Sequence, residues 1–417
     1  MSKIGTELFI ARRIAASKGG AGRGVMVRIA SLTVGIGMAV MIVSMAVISG
    51  FRSEITGKLI GFGSHVQVVN LDGNNSLETN PIPRNPALVE RLSRIPGFAA
   101  AHPFAIKGGI LKTDEAMQGI MLKGVDGDYD WSFFAQNLLE GELPRVGDSL
   151  RTKDILVSAT LARLMKLGVG DRVEMLFIRE GRPPRRDRFK VSGLYESGFE
   201  ELDKMVIPTD IRNVQRLNGW DPDRITGYEL TTRDFGQIDR FADEVHGILA
   251  ETEPLDGESL MAVSIREKFP NLFDWLQAHN VNVAVIITIM LLVALLNMVS
   301  ALLIILLERT RMIGVLKALG MNNRSLQKIF VIRSAFIVLR GMLWGNAAGL
   351  VLCLVQAQTH IVKLNQSGYF LSSVPVELDW GWWIALNAGT FGIIVALMTV
   401  PTLIVSRIRP DVTIRYQ

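Results

Sequence analysis

The chain has 417 residues, 49% of them hydrophobic and 20% charged, with a formal net charge of +5 and a mean hydropathy of +0.29. Soluble domains rarely reach that mean, because their surfaces need polar residues, and helices joined only by short loops carry less charge. Both classes are excluded, and a soluble domain attached to membrane helices is expected. The one cysteine, Cys353, allows no internal disulfide and reads as a small buried apolar residue.

Residues 1–28 form a basic leading segment, with Lys3, Arg12, Arg13, Lys18, Arg23 and Arg28 against Glu7 alone. Gly19 to Gly24 is glycine-rich but lacks the lysine–hydroxyl ending of a phosphate loop, and reads as a flexible connector. Residues 29–50 carry no charge and would span about 30 Å of hydrocarbon. This run is too long for the apolar core of a cleavable signal peptide, so none is expected.

Residues 51–280 hold 28 Lys and Arg against 35 Asp and Glu, a net of −7. Their pattern is mixed α/β. Pro86–Arg94, Ala159–Lys166 and Gln237–Leu249 have helical spacing, whereas Ile155–Ser158, Arg172–Ile178, Phe189–Tyr195, Lys204–Pro208 and Tyr228–Thr232 read as strands. Between two of those strands, Arg179–Arg188 carries five arginines around Pro183 and Pro184. A rigid basic finger for a partner and a solvated hairpin tip both fit this loop.

A second apolar run covers 281–307. The 308–333 loop that follows is basic, and Met312, Ile313, Val315, Leu316 and Leu319 give it one apolar helical face. Gly320 suits the end of that helix and Asn323 the start of the next. Docking into a soluble partner and lying on the membrane surface are both consistent with such a helix. The third run, 335–358, contains Arg340 near one end, where it can snorkel. Gly341, Gly345 and Gly349 line one face and predict close helix packing, within the chain or between subunits. After a short loop, 359–381, the fourth run covers 382–406, with Trp380, Trp382 and Trp383 as interfacial anchors, and 407–417 is a basic tail.

The expected fold is thus an α-helical membrane protein with four transmembrane helices and a large mixed α/β extracytoplasmic domain between helices 1 and 2. Excess Lys and Arg put both termini and the 308–333 loop in the cytoplasm. The overall positive charge belongs to that membrane edge and gives no sign of nucleic-acid binding. No phosphate loop, GxSxG or HExxH motif occurs, His65, His102, His246, His279 and His360 make no metal-binding spacing, and the spans hold no Asp or Glu for a proton relay. No enzyme activity is expected of this chain, so if it does work the energy must come from another subunit.

Glu308-Arg309 followed by Ile313-Gly314-Val315-Leu316-Lys317-Ala318-Leu319-Gly320 resembles the coupling segment of the FtsX-like, MacB-type ABC permeases. Phe9-Ile10-Ala11-Arg12-Arg13, Ser49-Gly50-Phe51, Gly170-Asp171-Arg172-Val173, Val191-Ser192-Gly193 and Leu296-Asn297-Met298 resemble segments of the lipoprotein-releasing LolC/LolE type within that family. The resemblance implies a permease subunit in a bacterial, Gram-negative inner membrane, with residues 51–280 in the periplasm. It implies a LolD-type ATPase dimer that binds ATP and Mg, a second permease subunit, identical or related, and a LolA-type periplasmic carrier. The substrate would be a lipoprotein extracted from membrane lipid, and this chain itself would hold no cofactor or metal.

By the same resemblance, Met45, Ile48, Phe51, Val281, Asn282, Val283 and Ile286 would line a cavity for the lipid anchor. Glu308, Arg309, Met312, Ile313, Val315, Leu316, Leu319 and Gly320 would couple to the ATPase, and Arg179, Gly181, Arg182, Pro183, Pro184, Arg185 and Arg186 would dock the carrier. A MacB-type exporter permease and an FtsX-like subunit controlling a periplasmic hydrolase are the alternatives.

Overall fold

The computed structural model describes residues 21–71, 80–113, 116–147, 151–179, 182–253, 259–364 and 371–403. The N-terminal motif at Phe9–Arg13 and the basic tail lie outside them. The chain divides into two compact units. One takes the chain up to Ser53, Trp275–Val362 and the residues from Ser373 onward; the other takes Glu54–Asp274 with Lys363–Ser372.

The helical unit is carried by α1 (Ala21–Phe62), α2 (Pro270–Glu308), α3 (Thr310–Ala318), α4 (Asn323–Thr359) and α5 (Trp380–Leu397). Among the described residues, four helices are long and apolar enough to cross a membrane: Val27–Phe62, Pro270–Glu308, Asn323–Thr359 and Trp380–Thr402. Residues 21–24, expected as connector, already belong to α1. This helix also runs past Gly50 through charged residues to Phe62, because Phe51, Ile55, Leu59 and Phe62 continue one buried stripe at helical spacing. Glu54 and Lys58 pair one turn apart on its outer side, at 3.2 Å. Met398 interrupts the last helix, which resumes only as the short turn Thr399–Thr402.

Met38, Met41, Ile42, Met298, Leu302, Phe330, Val338 and Ile394 form the core of this unit, and Cys353 is buried with them. The glycine stripe of α4 faces α1 of the same chain. A methyl on Gly341 would sit 2.6 Å from the Ser31 carbonyl oxygen, and one on Gly345 would sit 2.4 Å from that of Gly35. On Gly349 it would come within 3.2 Å of Ile42 Cβ. The seam is therefore an intrachain contact, closed because no side chain stands between the backbones.

Between α4 and α5, Asn346 and Asn387 exchange side-chain amide hydrogen bonds of 2.7 and 3.1 Å, and each also donates to a carbonyl of its own helix. Asp379 caps α5, accepting from the amides of Gly381 and Trp382. Trp380 and Trp382 are exposed, whereas Trp383 packs against the helical core.

In the α/β unit the strands are β1 (Val66–Asn70), β2 (Ile82–Pro83), β3 (Phe98–Lys112), β4 (Met117–Val125), β5 (Leu138–Gly141) and β6 (Asp154–Ser158). They continue with β7 (Arg172–Arg179), β8 (Arg182–Tyr195), β9 (Val206–Asp210), β10 (Arg224–Ile225), β11 (Gly227–Thr232) and β12 (Leu260–Ser264). Ten of them make one mixed sheet in the order β12-β1-β11-β3-β4-β9-β6-β8-β5, with β7 bridging β3 and β8. The pairs β4–β9 and β6–β8 are parallel, and β6 and β9 are each followed directly by a helix capped by the strand's last residue, Ser158 or Asp210. The end of α1 enters an aromatic cluster, where Phe62 meets Phe133 and Phe134 edge-on at 5.4 and 5.8 Å and Tyr195 closes the group.

Candidate functional site

The α3 helix is bounded by a broken turn at Arg309 and by Gly320, which ends it at φ +88°. The next helix starts at Asn323, as expected, and Asn322 before it supplies the cap, its side chain accepting from the Arg324 amide. The expected single apolar face divides in two. Ile313 is 0% exposed and belongs to the chain's own core, with Met312 and Leu316 packed beside it. Val315 and Leu319, four residues apart, are 46% and 78% exposed. Ile313 therefore cannot meet an outside partner while α3 stays packed, and Val315 and Leu319 are the apolar groups that can.

The basic segment is a hairpin and not a loop. Its strands pair up to Arg179 opposite Arg182, and Glu180 and Gly181 lie outside the described residues. Pro183 and Pro184 are exposed within β8, beside an irregularity in the ladder between Phe177 and Arg179, a place where missing donors are tolerated. Arg186 and Arg188 both approach Glu174 on β7, at 3.4 and 3.6 Å, and Arg185 donates to the Arg216 carbonyl at 2.9 Å. Asp187 binds Lys153. Burial alone would raise the Asp187 carboxyl, but the Lys153 hydrogen bond and the Arg188 amide outweigh it and hold it below the usual carboxylate range. Two of the hairpin's arginines thus share one carboxylate, Glu174, a pairing that strand register sets and that composition does not reveal.

The residues expected around a lipid-anchor cavity differ in their surroundings. Phe51 is buried and meets Trp275 edge-on at 5.9 Å, and Trp275 in turn lies 4.1 Å from the His279 ring. Met45 borders a cavity of about 10 Å³, room for a single water, whose other walls include Ala46, Glu377, Trp383 and Leu386 and no residue of α2. Ile48, Val283 and Ile286 are half-buried, while Val281 and Asn282 are exposed. Val281 begins an exposed stripe along α2 that continues through Val285, Ile289, Leu292 and Leu296. The stripe is visible in the sequence only as part of a uniformly apolar run; burial of the opposite side singles it out. Among the described residues, no group of three or more His, Cys, Asp or Glu could hold a metal ion.

Comparison with known proteins agrees with this architecture. Residues 29–248 match the MacB-like periplasmic core domain and residues 284–410 the FtsX-like permease C-terminal family. The chain is 25% identical over 406 residues to the lipoprotein-releasing system transmembrane protein LolC of Xylella fastidiosa, covering 93% of this chain and 92% of the relative. It is 20% identical over 375 residues to LolE of Haemophilus influenzae, with 85% of each chain covered. The periplasmic region of MacB from Actinobacillus actinomycetemcomitans aligns with 51% of this chain and 94% of its own, at 14% identity and a TM-score of 0.34. With one family covering most of α1 and the α/β unit as far as residue 248, and the other running from residue 284 within α2 past the end of α5, the chain belongs to the FtsX-like permeases that carry a MacB-like periplasmic core domain.

Proposed function

We propose that the protein is the permease subunit of an ABC-type complex that extracts outer-membrane-directed lipoproteins from the inner membrane and passes them to a periplasmic carrier. The observation that carries this reading is the likeness to LolC, which runs through both units and leaves neither chain with a large unmatched part. The excess of Lys and Arg beside the spans orients α3 toward the cytoplasm and the α/β unit toward the periplasm. Hydrolysis of ATP with Mg belongs to a LolD-type ATPase dimer, and Val315 and Leu319 on α3 are the groups that meet it.

Leaving the bilayer costs about 0.8 kcal/mol per acyl CH₂ exposed, so release needs that outside energy. The exposed α2 stripe suits a second permease subunit, identical or related. Met45, Ile48, Phe51, Val281, Asn282, Val283 and Ile286 would complete an acyl-chain cavity only when that subunit faces them. The basic hairpin, through Arg179, Gly181, Arg182, Pro183, Pro184, Arg185 and Arg186, would dock a LolA-type carrier. The test is a photocrosslinker at Ile48 in the full complex in membranes. Capture of a tri-acylated lipoprotein that is lost on adding ATP is expected. An intact, ATPase-active complex that captures none would overturn lipoprotein extraction.

A further inference from the structure

Within the α/β unit, a line of polar side chains, buried from Lys123 to Gln67 and reaching the surface at Lys268, joins the end of α1 to the start of α2. The last carbonyls of a helix lack donors of their own. At Phe62, the final residue of α1, the carbonyl accepts from Lys123 Nζ at 2.7 Å. The same ammonium donates to Glu229 Oε2 at 2.8 Å. Glu229 Oε1 accepts from Gln67 Nε2 at 3.0 Å, and Gln67 Oε1 accepts from Lys268 Nζ at 2.7 Å. Lys268 stands two residues before Pro270, where α2 begins. Gln67, Glu229 and Lys123 come from β1, β11 and β4, so the line crosses the sheet.

The side chains of Lys123 and Glu229 are each 3% exposed. Burial alone would lower the Lys123 ammonium, but Glu229 and the Tyr129 ring beside it, 5.2 Å from Nζ, raise it overall and keep it charged. A buried ion pair is poor evidence of stability, since well-packed apolar residues often serve as well or better. What it adds is direction: apolar surfaces can slide past one another, whereas successive hydrogen bonds fix a register.

We propose that the Lys123–Glu229–Gln67–Lys268 line is a joint that holds the exit of α1 and the entry to α2 in one register on the sheet. Displacement of either long helix is then delivered to the α/β unit and not absorbed in the connections. The second part rests on the permease reading; the first does not.

The test uses Lys123→Met/Glu229→Gln in the full-length chain, assembled with its partner subunits in lipid nanodiscs. This pair of changes removes both charges of the buried ion pair together and keeps an acceptor for Gln67. Hydrogen exchange of residues 58–70 should quicken about tenfold, the opening expected for one lost hydrogen bond, and Lys268→Ala should do the same for residues 262–274. Exchange in Asp154–Ser158 should stay unchanged and ATP hydrolysis should persist, while lipoprotein released per ATP falls. Unchanged exchange at both ends overturns the joint; loosened ends with unchanged release per ATP overturn its role in delivering motion. Should Asp154–Ser158 also lose protection, Lys268→Ala decides, because it removes only the outermost link. Faster exchange confined to 262–274 supports the joint, and no change there overturns it. A wild-type complex that releases no lipoprotein refutes the permease reading, while the exchange measurements still judge the joint.

Discussion

Gly345→Ala places one methyl in the seam between α1 and α4. Its Cβ would lie 2.4 Å from the Gly35 carbonyl oxygen and 2.7 Å from Met38 Cβ. Ordinary contact begins near 3.4 Å, so the helices must part by about 1 Å or bend locally, at an overpacking cost of about 1–3 kcal/mol. The upper end applies here, because the nearest neighbour is backbone and cannot rotate away. Alanine returns up to about 1 kcal/mol of helix propensity, leaving a net loss of about 2 kcal/mol. Gly392 on α5 supplies the control, because a methyl there would meet no heavy atom within 4 Å; its change to alanine carries only the propensity gain. Thermal unfolding of both variants in lipid nanodiscs should separate them by about 3 kcal/mol, the overpacking term alone. Equal stabilities, within about 0.5 kcal/mol, would refute the packing of Gly345 directly against the α1 backbone.

Two other sites give opposite kinds of outcome. Asp203 is buried, accepts from Ser197 Oγ at 2.7 Å, and has an Oδ2 without a partner among the described residues; burial raises its carboxyl to about 6. The folded state then binds more protons than the unfolded one between pH 3.8 and about 6, so stability falls as pH rises through that window, by an amount on the order of 3 kcal/mol. Denaturation of the full-length chain across pH 4–7 should show this fall, and Asp203→Asn should flatten it; an unaltered slope in the variant would exclude Asp203 as its source. On α3, Leu319→Asp should abolish coupling to the partner ATPase with stability within about 0.5 kcal/mol of wild type, as for an exposed site, whereas Ile313→Asp should unfold the helical unit. ATP-driven release by Leu319→Asp at the wild-type rate would remove α3 from the coupling path.

The four apolar runs are legible because hydrocarbon demands long uncharged stretches, and the elements at 154–165, 172–178 and 238–250 are legible because each carries its own period, whereas the helix Ile211–Asn218 escapes that reading. The extension of α1 is hidden by Arg52, Glu54 and Lys58, which end the charge-free run although Phe51, Ile55, Leu59 and Phe62 keep the helical stripe. Strand β3, Phe98–Lys112, is rich in alanine and glycine, contains Pro103 and has Ile106 and Ile110 as its β-branched residues, and is a strand because β11, β4 and β7 pair with it. In the hairpin, prolines suggest a loop where an irregular ladder accommodates them. The split of the α3 face depends on which side the rest of the chain covers, and the Lys123–Glu229 pair joins positions 106 residues apart. Neither leaves a local trace.

The amide exchange between Asn346 and Asn387 fixes more than a distance. Each side chain gives and receives one bond across the helices and spends a further donor on its own backbone. It has little left to offer water, an ion or a third polar group. Apart from Asn387 and Thr390, α5 is apolar or small on every side and would pack acceptably at many azimuths. A one-residue slip carries Asn387 about 1.5 Å along and 100° around the axis, stranding both amides in an apolar setting. The pair thus acts as an index mark cut across two helices, selecting one rotation from many that hydrophobicity alone would leave equivalent.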